Sequence, residues 1–420
     1  MNNLKTIVDE KSYRQFRGAD WPTYENFINN NYTVSKSIKS ELDKFVLQMQ
    51  ERYKDLAAHR TEELSQANQE RQKQVFYDKE YAGSYCQIPW NTLGVNTNGN
   101  VFICESPSWI PIFVGNLFEC DSIYDILNSD SAKKIRQEIL AGRYYYCNSR
   151  ICGFFDFKDT TKYKTQPTDN INPLDFVDNE KLYVNQIPTN LIFDFDYTCN
   201  FKCPSCRIEY QNWNNDHIIR PINNRIVDSI KHLIIDRIEE QPITIRWCGG
   251  EPFMSEAYIE LFEYIITTNK SNIQNVIQTN GSLFLAKKDL VTQLLPFISD
   301  IRISFDAGSE EVYRMTRVGG NWDNLIKNVK FLLDVVRKNN FKTKVSADYV
   351  VQKNNYKDLP RYVKLCKELG IEINQTQKMW NWGTWDEETF KAMNAYHPAH
   401  EEYNKVKEYF KLARLPMAKN

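Results

Sequence analysis

From residue 191 onward, short apolar strand patterns alternate with amphipathic helical patterns, and this alternation limits the possible folds more than any other feature. The six strand patterns are 191–197 (LIFDFDY), 243–248 (ITIRWC), 275–280 (NVIQTN), 300–306 (DIRISFD), 344–351 (KVSADYVV) and 371–376 (IEINQT). Six strand–helix units in succession predict an α/β fold with a parallel sheet, either doubly wound or a barrel. In both folds, ligands bind at the carboxyl ends of the strands.

Three cysteines follow the first of these strands on one short loop: Cys199, Cys203 and Cys206. Three thiolates at this spacing can hold three irons of a cubane cluster and leave the fourth iron without a protein ligand. A structural zinc site needs four closed ligands, so zinc would require a fourth ligand from a distant part of the chain. An iron with an open position implies a ligand from solution.

The second strand ends in a glycine pair followed by an acidic residue: Cys248, Gly249, Gly250, Glu251 and Pro252. Paired glycines allow a ligand to approach the backbone closely, and the carboxylate can accept a hydrogen bond from an ammonium group. By itself this motif is also compatible with a simple turn. At a strand end in the same sheet as the three-cysteine loop, it becomes a specific signal.

Together these motifs resemble the radical S-adenosylmethionine (SAM) superfamily over about residues 188–376. The resemblance implies a partial (β/α)6 TIM-like barrel and a [4Fe-4S] cluster whose open iron is chelated by SAM. It implies reductive cleavage of SAM to methionine and a 5′-deoxyadenosyl radical, which takes a hydrogen atom from the substrate. An external one-electron reductant of the flavodoxin or ferredoxin type would supply the electron. Ser205 departs from the family, which usually has an aromatic residue there.

The same resemblance implies which residues contact SAM. Glu251 would bind the methionine amino group, and the glycine pair with Pro252 would present the surrounding backbone. Later strand ends would supply contacts to the ribose, the carboxylate and the adenine: Thr279, Asn280, Ser304, Asp306, Arg314 or Arg317, and Gln352.

A second group of cysteines lies nearer the N-terminus: Cys86, Cys104, Cys147 and Cys152. The first two flank a hairpin predicted around Asn98-Gly99, and the last two follow a helix predicted over about 122–140. The four could form a fourfold-thiolate site, for which chemistry alone leaves zinc and iron–sulfur equally open. The stretch resembles the SPASM and twitch auxiliary-cluster domains, which normally follow the barrel and here precede it. Four ligands suffice for one auxiliary cluster.

The other cysteines have simpler interpretations. Cys120 is expected to be structural rather than an exchangeable ligand, and Cys366 has the helical spacing of a core residue. For Cys248, packing is the favoured interpretation. The functional alternative is a thiol that donates a hydrogen atom to a substrate radical.

The predicted organisation has five parts: a polar helical segment (1–82), a small α+β auxiliary-cluster domain (83–157), a polar linker (158–187), the partial barrel (188–376) and a Trp-rich, helical extension (377–420). In the extension, tryptophans either pack on the last strand or cover the barrel mouth: Trp380, Trp382 and Trp385.

The net charge is close to zero, so a polyanionic partner would need a local basic patch that composition does not show. Lys and Arg number 53 against 54 for Asp and Glu, so neither a nucleic acid nor a membrane surface is expected as a partner. The sequence contains no secretory or membrane-spanning pattern, which predicts a cytoplasmic chain whose ten cysteines stay reduced.

The predicted function is therefore radical SAM chemistry of an oxidoreductase type. A peptide or protein is the expected substrate, modified by oxidation or cross-linking, because many SPASM-type relatives act on peptides. The alternative is a dehydrogenase or epimerase of a carbohydrate-type small molecule. A non-catalytic iron–sulfur scaffold is the remote third hypothesis.

Overall fold

The computed structural model describes residues 84–107, 109–110, 112–140, 144, 146–147, 152, 165–167, 182–207, 209–216, 219–380 and 384–417. The predicted helical segment 1–82, most of the linker and Trp382 lie outside the described residues. The chain divides into two compact units, Met1–Ile192 with His232–Ile238, and Phe193–Lys231 with Glu239–Asn420.

In its described residues, the first unit contains short antiparallel strands and three helices. Its strands are β1 (Ser84–Cys86), β2 (Thr92–Asn96), β3 (Asn100–Phe102), β4 (Gly115–Asn116) and β5 (Thr165–Pro167). Strand β1 pairs with β5, and β2, β3 and β4 form a meander. The β2–β3 turn has Asn98 at φ 60° and Gly99 at φ 75°, which are left-handed values that Asn and Gly tolerate. The predicted hairpin is confirmed.

The helices of this unit are α1 (Ile88–Asn91), α2 (Ile123–Leu127) and α3 (Asp130–Leu140). The prediction of one continuous helix over 122–140 was wrong, because Asn128 interrupts it. The Asn128 amide bonds both the N–H and the carbonyl of Val184, each at 2.8 Å. The start was predicted correctly: Ser122 caps α2 in a capping box with Asp125.

The second unit is built on parallel strands connected by helices. Its strands are the end of β6 (Asn190–Asp194), β7 (Ile243–Trp247), β8 (Ile273–Thr279), β9 (Ile298–Ser304), β10 (Lys344–Val351) and β11 (Glu372–Lys378). Its helices include α4 (Ile219–Ser229), α5 (Glu256–Thr268), α6 (Lys288–Leu294), α7 (Glu310–Thr316), α8 (Trp322–Lys338), α9 (Leu359–Leu369), α10 (Glu387–Met393) and α11 (Tyr403–Ala413).

Strand order decides between the two α/β folds that the sequence left open. The strands lie in the order β6-β7-β8-β9-β10-β11, so each new strand is added to the same edge. Strands β7 to β11 are parallel in register. A doubly wound sheet reverses direction at a switch point, and this sheet does not. The order is compatible with a partial TIM-like barrel.

An apolar layer holds the helices against the sheet. Trp247 is fully buried and makes edge-to-face contacts with Phe193, Tyr258 and Phe262. Such pairs add about 0.5–1.5 kcal/mol each beyond the area they bury. Cys366 of α9 is 1% exposed, which confirms the prediction of a core residue. Among the described residues, no helix combines the length and apolar character that crossing a bilayer requires.

Candidate functional site

The three-cysteine loop begins where β6 ends, and the segment that leads into it is firmly anchored. Asp196 is buried, and its carboxylate accepts hydrogen bonds from the Thr198 N–H (2.8 Å) and the Ser255 hydroxyl (2.6 Å). Burial raises the pKa of Asp196, and these bonds oppose the shift. Further along, the Cys199 N–H donates to the carbonyl of Gln211 at 2.7 Å. The backbone that carries the thiols is therefore fixed without any ligand.

Each of the three sulfurs has an N–H donor. The Phe201 N–H lies 3.4 Å from the sulfur of Cys199, and Arg317 and Arg207 lie 3.6 Å from the sulfurs of Cys203 and Cys206. Burial raises the pKa of Cys199 to about 11, partly offset by Arg207. Two guanidinium groups beside three thiols are the environment that an anionic cluster needs. The donor set fits an iron–sulfur cluster held at three corners.

Accessibility distinguishes the three cysteines. Cys199 and Cys203 are buried, whereas Cys206 is exposed. None of the ten cysteines is in a disulfide. In the described parts of the chain, no three His, Cys, Asp or Glu side chains lie close enough to hold a single metal ion.

Arg207 connects the cysteine loop to the glycine pair, and it is not among the site residues predicted from the sequence. Its guanidinium donates to the carbonyls of Tyr197 (2.7 Å) and Gly249 (3.1 Å), as well as to Cys206. Burial opposes its charge, but the neighbouring thiols outweigh this and raise the pKa of Arg207. Its position directly after the third cysteine is the only signal in the sequence that pointed to it.

The glycine pair is needed because the backbone after β6 lies against it. A Cβ on Gly250 would lie 2.0 Å from the carbonyl oxygen of Thr198, and a Cβ on Gly249 would lie 2.6 Å from that of Asp196. The N–H groups of Gly250 and Glu251 donate to the carbonyls of Asp196 and Thr198, at 2.9 and 2.7 Å respectively. The sequence predicts that the glycine pair lets a ligand approach the backbone, and the structure adds this packing requirement.

Glu251 joins the glycine loop to the end of β8. One carboxylate oxygen accepts from the Thr279 hydroxyl (2.7 Å) and the Phe253 N–H (3.3 Å), and the other accepts from the Asn280 N–H (2.7 Å). The side chain is 1% exposed. Burial raises the pKa of Glu251 to about 7, although these hydrogen bonds act to lower it. Pro252 is buried beside it. Three predicted SAM contacts therefore form one hydrogen-bonded group.

Asp306 and Arg317 form a buried ion pair next to Cys203. Asp306 follows β9 with φ 53°, and one of its carboxylate oxygens lies 3.1 Å from the Nε of Arg317. Its other oxygen accepts from the Val350 N–H at 2.7 Å. Of the two arginines that the sequence proposed, the structure places Arg317 at the cysteines. The Arg314 side chain is 72% exposed and pairs with Glu310.

The last predicted contacts lie on β9 and after β10. The Ser304 hydroxyl accepts from the Gln278 amide at 2.8 Å. Gln352 is buried, and its side-chain nitrogen has no hydrogen-bond partner. A buried amide donor without a partner is costly, so a ligand that accepts from it would be favoured. Cys248 is partly exposed, and its carbonyl accepts from the Tyr258 hydroxyl at 2.9 Å.

In the first unit, one pocket brings together all four of the remaining predicted ligands: Cys86, Cys104, Cys147 and Cys152. Apolar residues and Tyr144 form the rest of its wall. Burial is the main cause that raises the pKa of Cys86 to about 12, and the neighbouring Cys152 adds to it. Four buried thiols around one pocket fit an iron–sulfur cluster better than a single metal ion, and the irons would supply the missing positive charge. Cys120 does not line this pocket; its thiol faces the Leu117 carbonyl at 3.8 Å.

Comparison with known families gives two matches, one in each of the two regions that carry the cysteine groups. The model of the radical SAM superfamily matches residues 195–372, and that of the SPASM iron–sulfur cluster-binding domain matches residues 86–153. The radical SAM domain match thus follows the SPASM domain match along the chain. The first domain implies a [4Fe-4S] cluster and SAM, and the second implies auxiliary iron–sulfur ligation. Members of the radical SAM family are enzymes.

Similar solved structures include TYW1 with a lysine-pyruvate adduct bound, at 18% identity and a TM-score of 0.30, covering 54% of this chain and 72% of that one. Histidine-tagged anSMEcpe with bound AdoMet matches at 20% identity and a TM-score of 0.30, covering 44% of this chain and 48% of that one. Archaeal TYW1 matches at 19% identity and a TM-score of 0.24, covering 40% of this chain and 58% of that one. These likenesses are too weak to indicate a shared activity. No curated protein matches the chain.

Proposed function

We propose that this protein is a radical SAM enzyme that cleaves SAM reductively and uses the 5′-deoxyadenosyl radical to abstract a hydrogen atom from a peptide or protein. The modification would be an oxidation or a cross-link. The observation that carries this proposal is the contact of Arg207 with both Cys206 and the Gly249 carbonyl. It supports the proposal because it ties the loop that would hold an incompletely ligated cluster to a glycine loop that would suit an amino-acid head group.

The protein's own residues would hold and orient the reactants. The three cysteines would bind the cluster, which when bound supplies the electron that cleaves SAM. Arg207 and Arg317 would stabilise the negative charge of the thiolates through N–H···S contacts. Glu251 fixes the end of β8 against the glycine loop, and the unpartnered amide of Gln352 would donate to a bound nucleotide.

Polar side chains on the strands support a substrate rich in hydrogen-bonding groups. Gln278 contacts Ser304, and Asp348 lies opposite Ser304 in the register of β9 and β10. The Asp348 carboxylate is buried and accepts from the Asn374 amide at 2.7 Å. Burial raises the pKa of Asp348. Amide, hydroxyl and carboxyl groups in one row would match the N–H and C=O groups of a peptide.

The presence of the SPASM domain favours a peptide substrate, because its relatives include many peptide-modifying enzymes. Its cluster, ligated by four cysteines, would act as an electron acceptor or conduit, which suits a net oxidation. The external reductant would be a flavodoxin- or ferredoxin-type protein.

A second function is favoured by Cys248. Its partial exposure at the carboxyl end of β7 would allow the thiol to return a hydrogen atom to a substrate radical, as an epimerase requires. The substrate would then be a carbohydrate-type small molecule. Replacement of Cys248 by Ala should abolish turnover in this case while 5′-deoxyadenosine still forms. With a peptide oxidase, the same variant should keep its activity.

The proposal is tested by anaerobic reconstitution with iron and sulfide, followed by an assay for 5′-deoxyadenosine with and without candidate substrates. Changing all three cysteines of the loop to Ala should abolish this product. The matched control is Cys366→Ala, which removes a buried thiol from α9 and should keep it. SAM that stays intact in reduced, iron-loaded protein would instead favour a non-catalytic scaffold.

A further inference from the structure

Arg136 in α3 is a charged side chain in a fully buried position. It is 0% exposed and lies one helical turn before Ile139. Its guanidinium donates to three backbone carbonyls, those of Pro89 (3.0 Å), Leu127 (2.7 Å) and Leu182 (3.0 Å). Its carbon Cζ lies 5.9 Å from the centre of the Trp90 ring. The Nη2 atom is buried without a hydrogen-bond partner.

The groups that contact this charge are neutral. Within the described parts of the chain, Arg136 forms no ion pair, and all of its hydrogen-bond partners are neutral carbonyls. Burial alone lowers the pKa of the guanidinium to about 10, so the side chain stays charged at neutral pH. A buried charge is costly unless it is paired or bound to a counter-charge.

The pocket of the four cysteines lies next to this charge. Pro89, whose carbonyl Arg136 holds, lines the pocket, and so does Ile139 of the same helix. A cluster bound by four thiolates is anionic, and its reduction potential depends on the net charge around it. The first unit therefore places a buried cation, which has no anionic partner among the described residues, directly behind the wall of a site that would receive negative charge.

We propose that Arg136 is the counter-charge of the auxiliary cluster, a positioning residue that favours cluster binding and raises the cluster's reduction potential. The inference rests on the auxiliary cluster implied by the SPASM domain and is independent of the substrate proposed above. It explains why a cation occupies a position that an apolar residue would fill at lower cost.

The test uses the full chain with the three-cysteine loop changed to Ala, so that only the auxiliary cluster remains. Potentiometric titration monitored by electron paramagnetic resonance then measures its midpoint potential, and iron analysis measures its loading. Arg136→Met removes the charge, and Arg136→Lys keeps the charge but loses the planar donor group. The control Lys134→Met removes one positive charge from an exposed position on the same helix.

We expect the Met variant at position 136 to shift the potential to a more negative value and to lower iron loading. The Lys variant should remain close to the parent in both, and the control at Lys134 should not change either, because solvent screens that charge. Equal losses in the Met and Lys variants would overturn the proposal and assign Arg136 to hydrogen bonding alone. An unchanged potential in the Met variant would also overturn it.

If the Met variant does not fold, the Lys variant decides: a retained cluster and potential support the proposal, and their loss overturns it. Absence of iron from the parent would overturn both this inference and the auxiliary site. Formation of 5′-deoxyadenosine by the unmutated chain tests the proposed function separately.

Discussion

Replacing Gly250 by Ala should disrupt the site on the three-cysteine loop, the first cluster site, through a steric effect alone. The backbone of Gly250 does not have a positive φ, so Ala can adopt its conformation without strain. The new Cβ, however, would lie 2.0 Å from the Thr198 carbonyl oxygen and 2.7 Å from its carbon. Overpacking of this kind costs about 1–3 kcal/mol. Separation of the two segments would also weaken two backbone hydrogen bonds, at about 1 kcal/mol each.

We therefore expect Gly250→Ala to lower the free energy of unfolding of the iron-free protein by about 3–5 kcal/mol. Denaturant unfolding measures this loss, and iron analysis after reconstitution should show that the first cluster is no longer bound. The control is Gly370→Ala at the end of α9, where φ is 71° and the nearest atom is the flexible end of Arg337 at 3.2 Å. It should cost about 1–2 kcal/mol and keep the cluster. Equal losses of stability and of iron in the two variants would show that the site does not depend on the close backbone contact at Gly250.

Three further predictions concern the charged and sulfur-bearing groups. Arg317→Lys should reduce iron loading of the first cluster because it weakens contacts with Cys203 and Asp306, whereas Arg314→Lys should match the wild type; equal losses would refute the geometry. Because burial raises the pKa of Glu251 from 4.5 to about 7, the folded protein binds this proton more tightly than the unfolded chain, and the iron-free wild type should lose stability as the pH rises from 4.5 to 7. Relative to Glu251→Gln, unfolding titrations between pH 4.5 and 8 should show a change of up to about 3 kcal/mol; a constant difference would contradict the raised pKa. Changing the four cysteines of the pocket to Ser should remove the auxiliary iron and leave some uncoupled 5′-deoxyadenosine, and unaltered iron content would show that the pocket binds no cluster.

Much of the sheet was predictable because hydrophobic patterning marks parallel strands well. The strand predicted over 344–351 is observed as Lys344–Val351, and that over 243–248 as Ile243–Trp247. One of the helical patterns between the strands, residues 225–238 (RIVDSIKHLIIDRI), predicts a single helix, but the α-helix ends at Ser229, and a π-helix and a 3-10 turn follow. The apolar pattern of a sequence does not show where the hydrogen bonding of a helix changes from the α to the π or 3-10 type.

The candidate site was predictable where motif spacing determines it, and not where tertiary contacts do. Cys199 and Glu251 were identified by their motifs, and their placement at strand ends followed from the fold class. The sequence did not reveal three buried charged residues: Arg207, Arg136 and Asp196. Charged residues are exposed in most proteins, and only the folded chain shows that these three are buried. The choice of Arg317 over Arg314 likewise needed the structure, since both lie in one short stretch.

The three contacts of Arg207 have a thermodynamic consequence. One guanidinium donates to the Cys206 thiol, the Tyr197 carbonyl and the Gly249 carbonyl, so the geometries of the three-cysteine loop and the glycine loop depend on each other. Coupled binding equilibria are reciprocal. If iron loading raises the affinity for SAM by a given factor, bound SAM must raise the affinity for iron by the same factor. Cofactor and cosubstrate would thus protect one another, and the enzyme would resist oxidative loss of its cluster most when SAM is abundant.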